Sequence, residues 1–424
     1  MLVDAFLGGY LLCTLLLLVV ALSTLAWMVD SWRTPESLAE TRFPHPDEPC
    51  LSFSLLVPAR DEETVLAHTV NRILEQDHPD FDVVIVVGDD DDATAAVARA
   101  LAEEHPQVRV AVDASPQKNK PKALNTGLRV CTGQVVGVFD AEDEVAPSLL
   151  RHVDACFRAT DAHVVQGGVQ LMNFQSSWWS LRNVLEYYFW FSSRLHLHAR
   201  KRFIPLGGNT VFVRSDLLRQ VSGWDPECLA EDCELGVRLS SRGARVTVAY
   251  DAALATREET PPTLGGLFRQ RTRWSQGFVQ VLRRGEWRRL PTRHQRLMAA
   301  YLLVMPFLQA FAGALIPVAV VCMFVLRAPD PVVLATFLPL VPTLVTIGVE
   351  VVGLQQFGRD FGVRVRVRDY VVLVLGTLPY QIVLAAAAVR ATVRELRGDG
   401  SWEKTSHVGA HRTAGRSSAQ EAVR

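Results

Sequence analysis

Two hydrophobic patterns alternate along the chain. Four stretches contain no Asp, Glu, Lys or Arg: Ala5–Val29, Met298–Leu326, Pro331–Val349 and Val371–Val389. Each reaches roughly the ~20 apolar residues that a helix needs to cross a bilayer. Between Pro49 and about Arg296 the period changes repeatedly. Leu51–Val57, Val83–Val87, Val108–Val112 and Val135–Phe139 are short apolar runs that predict strands. Glu62–Gln76, Ala93–Glu104 and Lys122–Val130 carry helical spacing. Such alternation implies an α/β fold with a mostly parallel sheet covered on both faces. Residues 1–30 are expected to form an N-terminal transmembrane helix, 50–296 the α/β domain, and 297–394 a membrane region of about three hydrophobic segments. From Gly398 to the end, Gly, Ser, Arg and Ala dominate, a composition that predicts disorder.

Charge sharpens this division. The chain has 44 Lys+Arg against 45 Asp+Glu, a net charge of -1, which rules out a strongly basic nucleic-acid binder. Asp4 precedes the first apolar stretch while Arg33 and Arg42 follow it. The stretch is about twice a signal-peptide core and has no basic residue before it, so it reads as an anchor with the following domain cytoplasmic. The loop Phe357–Tyr370 holds Arg359, Arg364, Arg366 and Arg368, and the tail after Val389 holds Arg390, Arg394, Arg397 and Lys404. Both flanks of the last segment therefore ask to be inside. That segment is either a re-entrant or interfacial hairpin, or its tail is outside despite its charge. Cys13, Cys50, Cys131, Cys156, Cys228, Cys233 and Cys322 form no C-x-x-C pair, and read as small buried hydrophobes in a reducing compartment.

Carboxylates gather at predicted strand ends, where ligands bind in sheets of this type. Asp61 follows the first strand, Asp89–Asp92 the second, and Asp140–Glu144 the fourth. The Asp89–Asp92 run suits a helix cap or a ligand contact. Asp140 and Glu142, two residues apart at the tip of a buried strand, suit a hard cation such as Mg²⁺ or Mn²⁺ shared with a diphosphate. Lys118, Lys120 and Lys122 are phosphate partners or a solvated run. Glu231-Asp232 opens an amphipathic helix, where the dipole favours an anion, as cap or as general base. Gln270, Arg273 and Trp274 lie in an arginine-dense stretch near the membrane, where guanidinium can grip phosphate and indole can stack on sugar. The aromatic segment with Trp178, Trp179, Tyr187, Tyr188 and Trp190 reads as an interfacial helix or an acceptor-binding wall.

Taken in order, Val57-Pro-Ala-Arg-Asp61, Asp140-Ala-Glu142, Gly223-Trp-Asp225, Glu231-Asp232 and Gln270-x-x-Arg273-Trp274 resemble the membrane-embedded family 2 glycosyltransferases, which include cellulose, chitin, hyaluronan and poly-N-acetylglucosamine synthases. The resemblance spans residues from about 50 to 290. It implies a GT-A type nucleotide-diphospho-sugar transferase domain with a Rossmann-like mixed sheet, flanked by transmembrane helices, in the cell membrane. By that resemblance Asp61, Asp89 or Asp90, Lys122 and Asp140 bind the UDP-sugar donor. Asp140 and Glu142 hold Mg²⁺ or Mn²⁺, Asp232 is the general base, and Glu231, Gln270, Arg273 and Trp274 meet the diphosphate and the acceptor. Three departures stand out. Gly88-Asp-Asp-Asp-Asp92 replaces Asp-Asp-Gly-Ser, Glu142 replaces a second Asp and leaves Asp143 as another ligand, and Ala230 replaces Thr. Trp402-Glu-Lys-Thr405 is similar to a tail motif of some members. The implied reaction is inverting transfer to a glycan, most simply processive β-polysaccharide synthesis with an accessory membrane or export subunit. The alternatives are a single transfer to a lipid acceptor or a non-catalytic nucleotide- or glycan-binding component.

Overall fold

The computed structural model describes residues 2–30, 49–324, 329–405, 409 and 411–412. Arg33 and Arg42, the 325–328 turn and most of the chain beyond 405 lie outside the described residues. Helix α1 (Leu2–Asp30) leads in. The α/β unit then runs β1 (Phe53–Pro58), α2 (Leu66–Leu74), β2 (Phe81–Gly88), α3 (Asp92–Glu104), β3 (Val108–Asp113), α4 (Lys120–Leu128) and β4 (Val135–Val138). It continues with α5 (Leu149–Ala159), β5 (Val164–Gly167), β6 (Val169–Leu171), α6 (Trp178–Phe189), a π-helical turn (Trp190–Arg194) and α7 (Leu195–Arg200). The second half holds β7 (Val211–Arg214), α8 (Ser215–Gln220), α9 (Glu231–Ser241), β8 (Val246–Ala249), β9 (Thr256–Glu258) and α10 (Leu264–Arg284). Helices α11 (Arg293–Phe324), α12 (Asp330–Thr336), α13 (Leu340–Asp360) and α14 (Val367–Leu396) complete it.

Seven strands form one sheet in the order β3-β2-β1-β4-β7-β5-β8. β1 pairs in parallel with β2 and β4, and β2 with β3, whereas β7 runs antiparallel between β4 and β5. Because successive side chains of a strand point to opposite faces, the continuous apolar runs fill two layers at once. Leu55, Val57, Val83 and Ile85 pack with α2, α3 and α5 on one side. Leu56, Val84 and Val86 pack with α4, α8 and α9 on the other. The antiparallel β7 has a direct consequence. Its amino end pairs Val211 with Val138 at the carboxyl end of β4, so the loop Gly207-Gly-Asn209 arrives beside Asp140.

Phe6–Asp30, Asp330–Asp360 and Val367–Leu396 are each long and apolar enough to cross a membrane, and α11 carries the remaining charge-free stretch. The α6 segment joins the two parts. Leu181, Val184, Leu185 and Tyr188 pack against Val349, Leu354 and Phe357 of α13. Helix α14 touches the α/β unit at both ends. Near its start Gln175 Nε2 donates to Asp369 Oδ2 at 2.9 Å. Near its end Arg283 of α10 pairs with Glu395 at 2.6 Å. Between them Tyr380, Leu384 and Ala388 are buried, while Val371, Leu375, Leu378, Ile382 and Val389 are exposed on the other side.

The expected disordered tail does not hold at residues 398–405. Arg390 and Arg394 each pair with Glu403 at 2.6 Å, and Lys404 pairs with Glu62 at 2.9 Å. Further on, Arg412 Nη2 donates to the Glu142 carbonyl at 3.1 Å. These partners lie nine or more residues away or across the chain, so local composition carries no trace of them.

Candidate active site

A cavity of about 1320 Å³ opens at the carboxyl edge of the sheet. Asp90, Asp140, Glu142, Glu231, Asp232, Gln270, Arg273 and Trp274 all line it. Asp61, Asp89 and Lys122 do not. Asp61 adopts a left-handed backbone (φ 49°), its amide donates to Asp91 Oδ2 at 2.7 Å, and its exposed side chain lies outside the wall. Glu62, the next residue, takes the place in the wall. Asp89 pairs with Lys118 at 2.6 Å, and that hydrogen bond holds its carboxyl below the ordinary range. Asp91 caps α3, accepting from Thr94 N at 3.1 Å. Of the acidic run, Asp90 alone reaches the cavity, paired with Arg60 at 2.9 Å.

The lysine that enters is Lys120. Asn119 caps α4, its side chain accepting from Lys122 N at 3.0 Å. Residues two apart on a helix diverge by roughly 200°. Lys122 therefore faces Glu227 at 3.3 Å, while Lys120 Nζ bridges the Asp140 carboxylate and the Gly208 carbonyl, the latter at 2.9 Å. Burial alone would lower the Lys120 pKa, but the Asp140 and Glu231 carboxylates outweigh it and hold the ammonium charged.

Asp232 sits in the first turn of α9, its Oδ1 accepting from Cys233 N at 2.7 Å. Burial and the neighbouring Asp232 charge push the Glu231 carboxyl up to about 7, and burial raises Asp232 as well. Raised carboxyls in a cleft mark acid–base candidates. Gly208 faces this pair closely: a Cβ there would lie 3.1 Å from Asp232 Oδ2 and 3.6 Å from Lys120 Nζ.

Asp143 is not a free ligand. Its Oδ2 accepts from the Asp140 amide at 2.8 Å and its Oδ1 from Asn209 Nδ2 at 2.8 Å. Asn209 also donates to Glu258, whose carboxyl burial pushes up to about 8. Asn209 and Glu258 carry no sequence signal of their own; the antiparallel β7 brings Asn209 to Asp140, and β9 brings Glu258 through the bridge between Arg257 and Glu144. Among the described residues no group of three His, Cys, Asp or Glu side chains is arranged to hold a metal. Asp140 and Glu142 still fit a hard cation that takes its remaining ligands from a diphosphate.

Arg273 stacks over the Trp402 ring, 4.4 Å to its centroid, and donates to the Glu403 carbonyl at 3.2 Å. Gln270 Oε1 is buried without a partner and faces a cavity that a hydroxyl-bearing ligand would fill. Of the aromatic segment, Tyr187 and Trp190 line the cavity, while Tyr188 donates to Asp360 Oδ2 at 2.6 Å in the membrane module. The aromatic segment thus faces the cavity on one side and the apolar helices on the other. The cavity continues as a cleft between α1, α11, α13 and α14, walled by Leu17, Val20, Leu302, Met305, Ile347 and Leu378. The pairs Arg182–Glu350 (2.5 Å) and Arg271–Glu186 (2.5 Å) also line this cavity, with only Arg182 buried.

Comparison with known proteins agrees with this geometry. Residues 49–277 match the profile described as "Glycosyltransferase like family 2". Over 232 residues the chain is 29% identical to the beta-monoglucosyldiacylglycerol synthase of Trichormus variabilis, covering 54% of this chain and 49% of that one. It is 24% identical over 260 residues to the poly-beta-1,6-N-acetyl-D-glucosamine synthase of Staphylococcus epidermidis, covering 59% of this chain and 60% of that one. The match spans about half to three-fifths of these relatives. The mannosyltransferase PcManGT of Pyrobaculum calidifontis, solved with GDP-Man and Mn²⁺, shares the fold with a TM-score of 0.53 at 18% identity, covering 91% of this chain and 99% of that one. The α/β unit is a GT-A fold with a mixed sheet. The chain belongs to the family 2 glycosyltransferases.

Proposed function

We propose that the chain transfers a sugar, with inversion, from a UDP-sugar to the hydroxyl of an acceptor that reaches the site from the bilayer. The observation that carries this is one continuous cavity joining Lys120, Arg273 and the Glu231–Asp232 turn to an apolar cleft between the membrane helices. Asp90 and Glu62 suit the nucleoside end. Lys120 and Arg273 present fixed positive charge where the diphosphate accumulates negative charge as the anomeric bond breaks, a large catalytic effect in a buried site. Asp140 and Glu142 would hold a divalent metal, which neutralises charge on the leaving diphosphate when bound. Asp232 takes the proton of the acceptor hydroxyl as its oxygen attacks the anomeric carbon from the face opposite the leaving UDP. Gly208 keeps the space in front of Asp232 free.

The cleft bears on the acceptor. Its walls are mainly leucine, valine, isoleucine and methionine, interrupted by Thr24, Thr343, Thr346, Thr377 and Gln381. A growing sugar chain would leave many hydroxyls unpaired there, and each costs free energy. A lipid tail matches the same surface. We therefore favour single transfer to a lipid acceptor over processive polymer synthesis. Membrane placement follows the same argument: α1, α11 and the α12–α13 pair cross, while α14 lies in the interface with its exposed apolar face toward lipid. The α/β unit faces the cytoplasm.

The test is UDP release by the purified full chain with UDP-sugars and lipid. Asp232→Asn is expected to lower kcat by about 10²–10⁴, the usual contribution of a positioned base. Release at the parent rate would remove Asp232 from that role. Products carrying many sugars per acceptor would overturn the lipid reading.

A further inference from the structure

Among the described residues, Arg194 is a cation without a counter-charge in the wall of the cleft. It ends the π-helical turn Trp190–Arg194, an uncommon winding that concentrates at functional sites. Its guanidinium lies over the Trp27 ring of α1, 5.0 Å from the centroid. The side chain lines the cavity beside Thr24 and Met28 of α1 and Leu302 and Met305 of α11. Three other arginines of this wall are matched, Arg60 by Asp90, Arg182 by Glu350 and Arg271 by Glu186, and Arg273 donates to the Glu403 carbonyl. Among the described residues Arg194 has no ion pair and no hydrogen bond, and its Nε is buried without a partner. Glu186 is the carboxylate whose charge it feels, but that group already accepts from Arg271 and from the Tyr380 hydroxyl at 3.0 Å.

A desolvated cation costs several kcal/mol unless an anion accompanies it. The surroundings say where that anion comes from. Trp27 and Tyr301 meet edge to face at 4.9 Å, and Arg200 ties the end of α1 to α7 through Asp30 at 3.0 Å. Aromatic and basic side chains at helix ends mark the headgroup level of a bilayer. From Arg194 the apolar wall runs back along α1 through Ala21, Val20 and Leu17. An anion at headgroup height with an apolar channel beside it describes a lipid phosphate.

We propose that Arg194 binds the phosphate of a membrane lipid whose hydrocarbon chain occupies the cleft. The proposal rests on reading the cleft as the lipid path to the catalytic pocket. Its test therefore measures binding rather than transfer. The full chain is held in maltoside micelles, which carry no phosphate, and titrated separately with dioleoyl phosphatidic acid, dioleoylglycerol and inorganic phosphate. Native mass spectrometry counts the bound molecules. One phosphatidic acid per chain is expected, with dioleoylglycerol at least about tenfold weaker, since a charged hydrogen bond contributes that much. Arg194→Gln should lose about tenfold in phosphatidic acid affinity, and Arg194→Lys should keep most of it. The melting temperature of Arg194→Gln should equal or exceed the parent value, because a half-buried unpaired charge has been removed. Equal binding of the two lipids, unchanged binding by Arg194→Gln, or a lowered melting temperature would each overturn the proposal. Inorganic phosphate that binds as tightly as phosphatidic acid would overturn the lipid as its source. Lipid retention without UDP release in the same preparation would sink the transfer reading alone.

Discussion

At the scale of single residues, the site separates groups that the sequence cannot rank. Lys120 and Lys122 belong to one short run, yet the Asn119 cap fixes the phase of α4 so that only Lys120 faces Asp140. Lys120→Met is therefore expected to reduce kcat/KM for UDP release by at least about tenfold, since a charge-assisted contact to a diphosphate contributes 1.5–3 kcal/mol. Lys122→Met, which loses only a partner in the well-exposed Glu227, should remain within about twofold of the parent. Equal losses would show that Lys120 does not act on the donor. The acids were more legible. Asp140, Glu142 and Asp232 stand where a buried strand or an amphipathic helix changes to loop, and a change of period is visible in sequence. Asp61, expected at the donor, lies outside the cavity wall and Glu62 within it, at a left-handed turn that has no local signature.

Among elements, the antiparallel β7 decides what surrounds Asp140. It delivers Asn209 to Asp143 and Glu258, and the three hold the Asp140 loop from behind. The Glu258 carboxyl ordinarily titrates near 4.5 and is raised in the fold to about 8 by burial and by the Asp140 and Glu142 charges. The folded chain thus keeps a proton that the unfolded chain releases. This contribution to stability is fully present below about pH 4.5 and is lost as pH rises through about 8. Between about pH 4.5 and 8, the melting temperature of Glu258→Gln should fall less steeply with pH than that of the parent. Parallel melting curves would remove Glu258 as the source. The tail is a second such element. Removing the Trp402 ring from Arg273 forfeits about 0.5–2 kcal/mol, so Trp402→Ala should raise the KM for UDP-sugar about two- to thirtyfold. An unchanged KM would mean that the ring does not order Arg273 for the donor. Sequence patterning exposed the strands of the sheet readily, because buried parallel strands are unbroken apolar runs. The antiparallel partner and the tail depend on pairings between distant residues, which no local period records.

For the molecule as a whole, the position of α14 determines the count of crossings. Both of its ends bond to the α/β unit, and the proposed placement therefore puts both on that unit's side of the membrane. Single cysteines at Arg129, Arg364 and Gly400, in a chain otherwise free of cysteine, are all exposed positions. All three are expected to resist a membrane-impermeant maleimide in intact cells and to react in inside-out vesicles. Opposite labelling of the Arg364 and Gly400 sites would make α14 a true span. Labelling of all three on one side would settle the conflict of basic flanks around the last apolar segment. Hydropathy alone does not distinguish a helix that crosses a bilayer from one that lies along it.

The ordered tail also has a bearing on time. Protein synthesis runs from the amino end, and the domains it completes fold in that order. The sheet, the Asp140 loop and the Glu231–Asp232 turn all leave the ribosome long before Trp402 and Lys404, which follow the last membrane helix. Arg273 gains its stacking partner, and Glu62 its lysine, only when the final apolar helix has docked. A nascent chain still being inserted therefore carries a donor site lacking one wall. On the proposed reading, the pocket gains that wall only once α14 is in place.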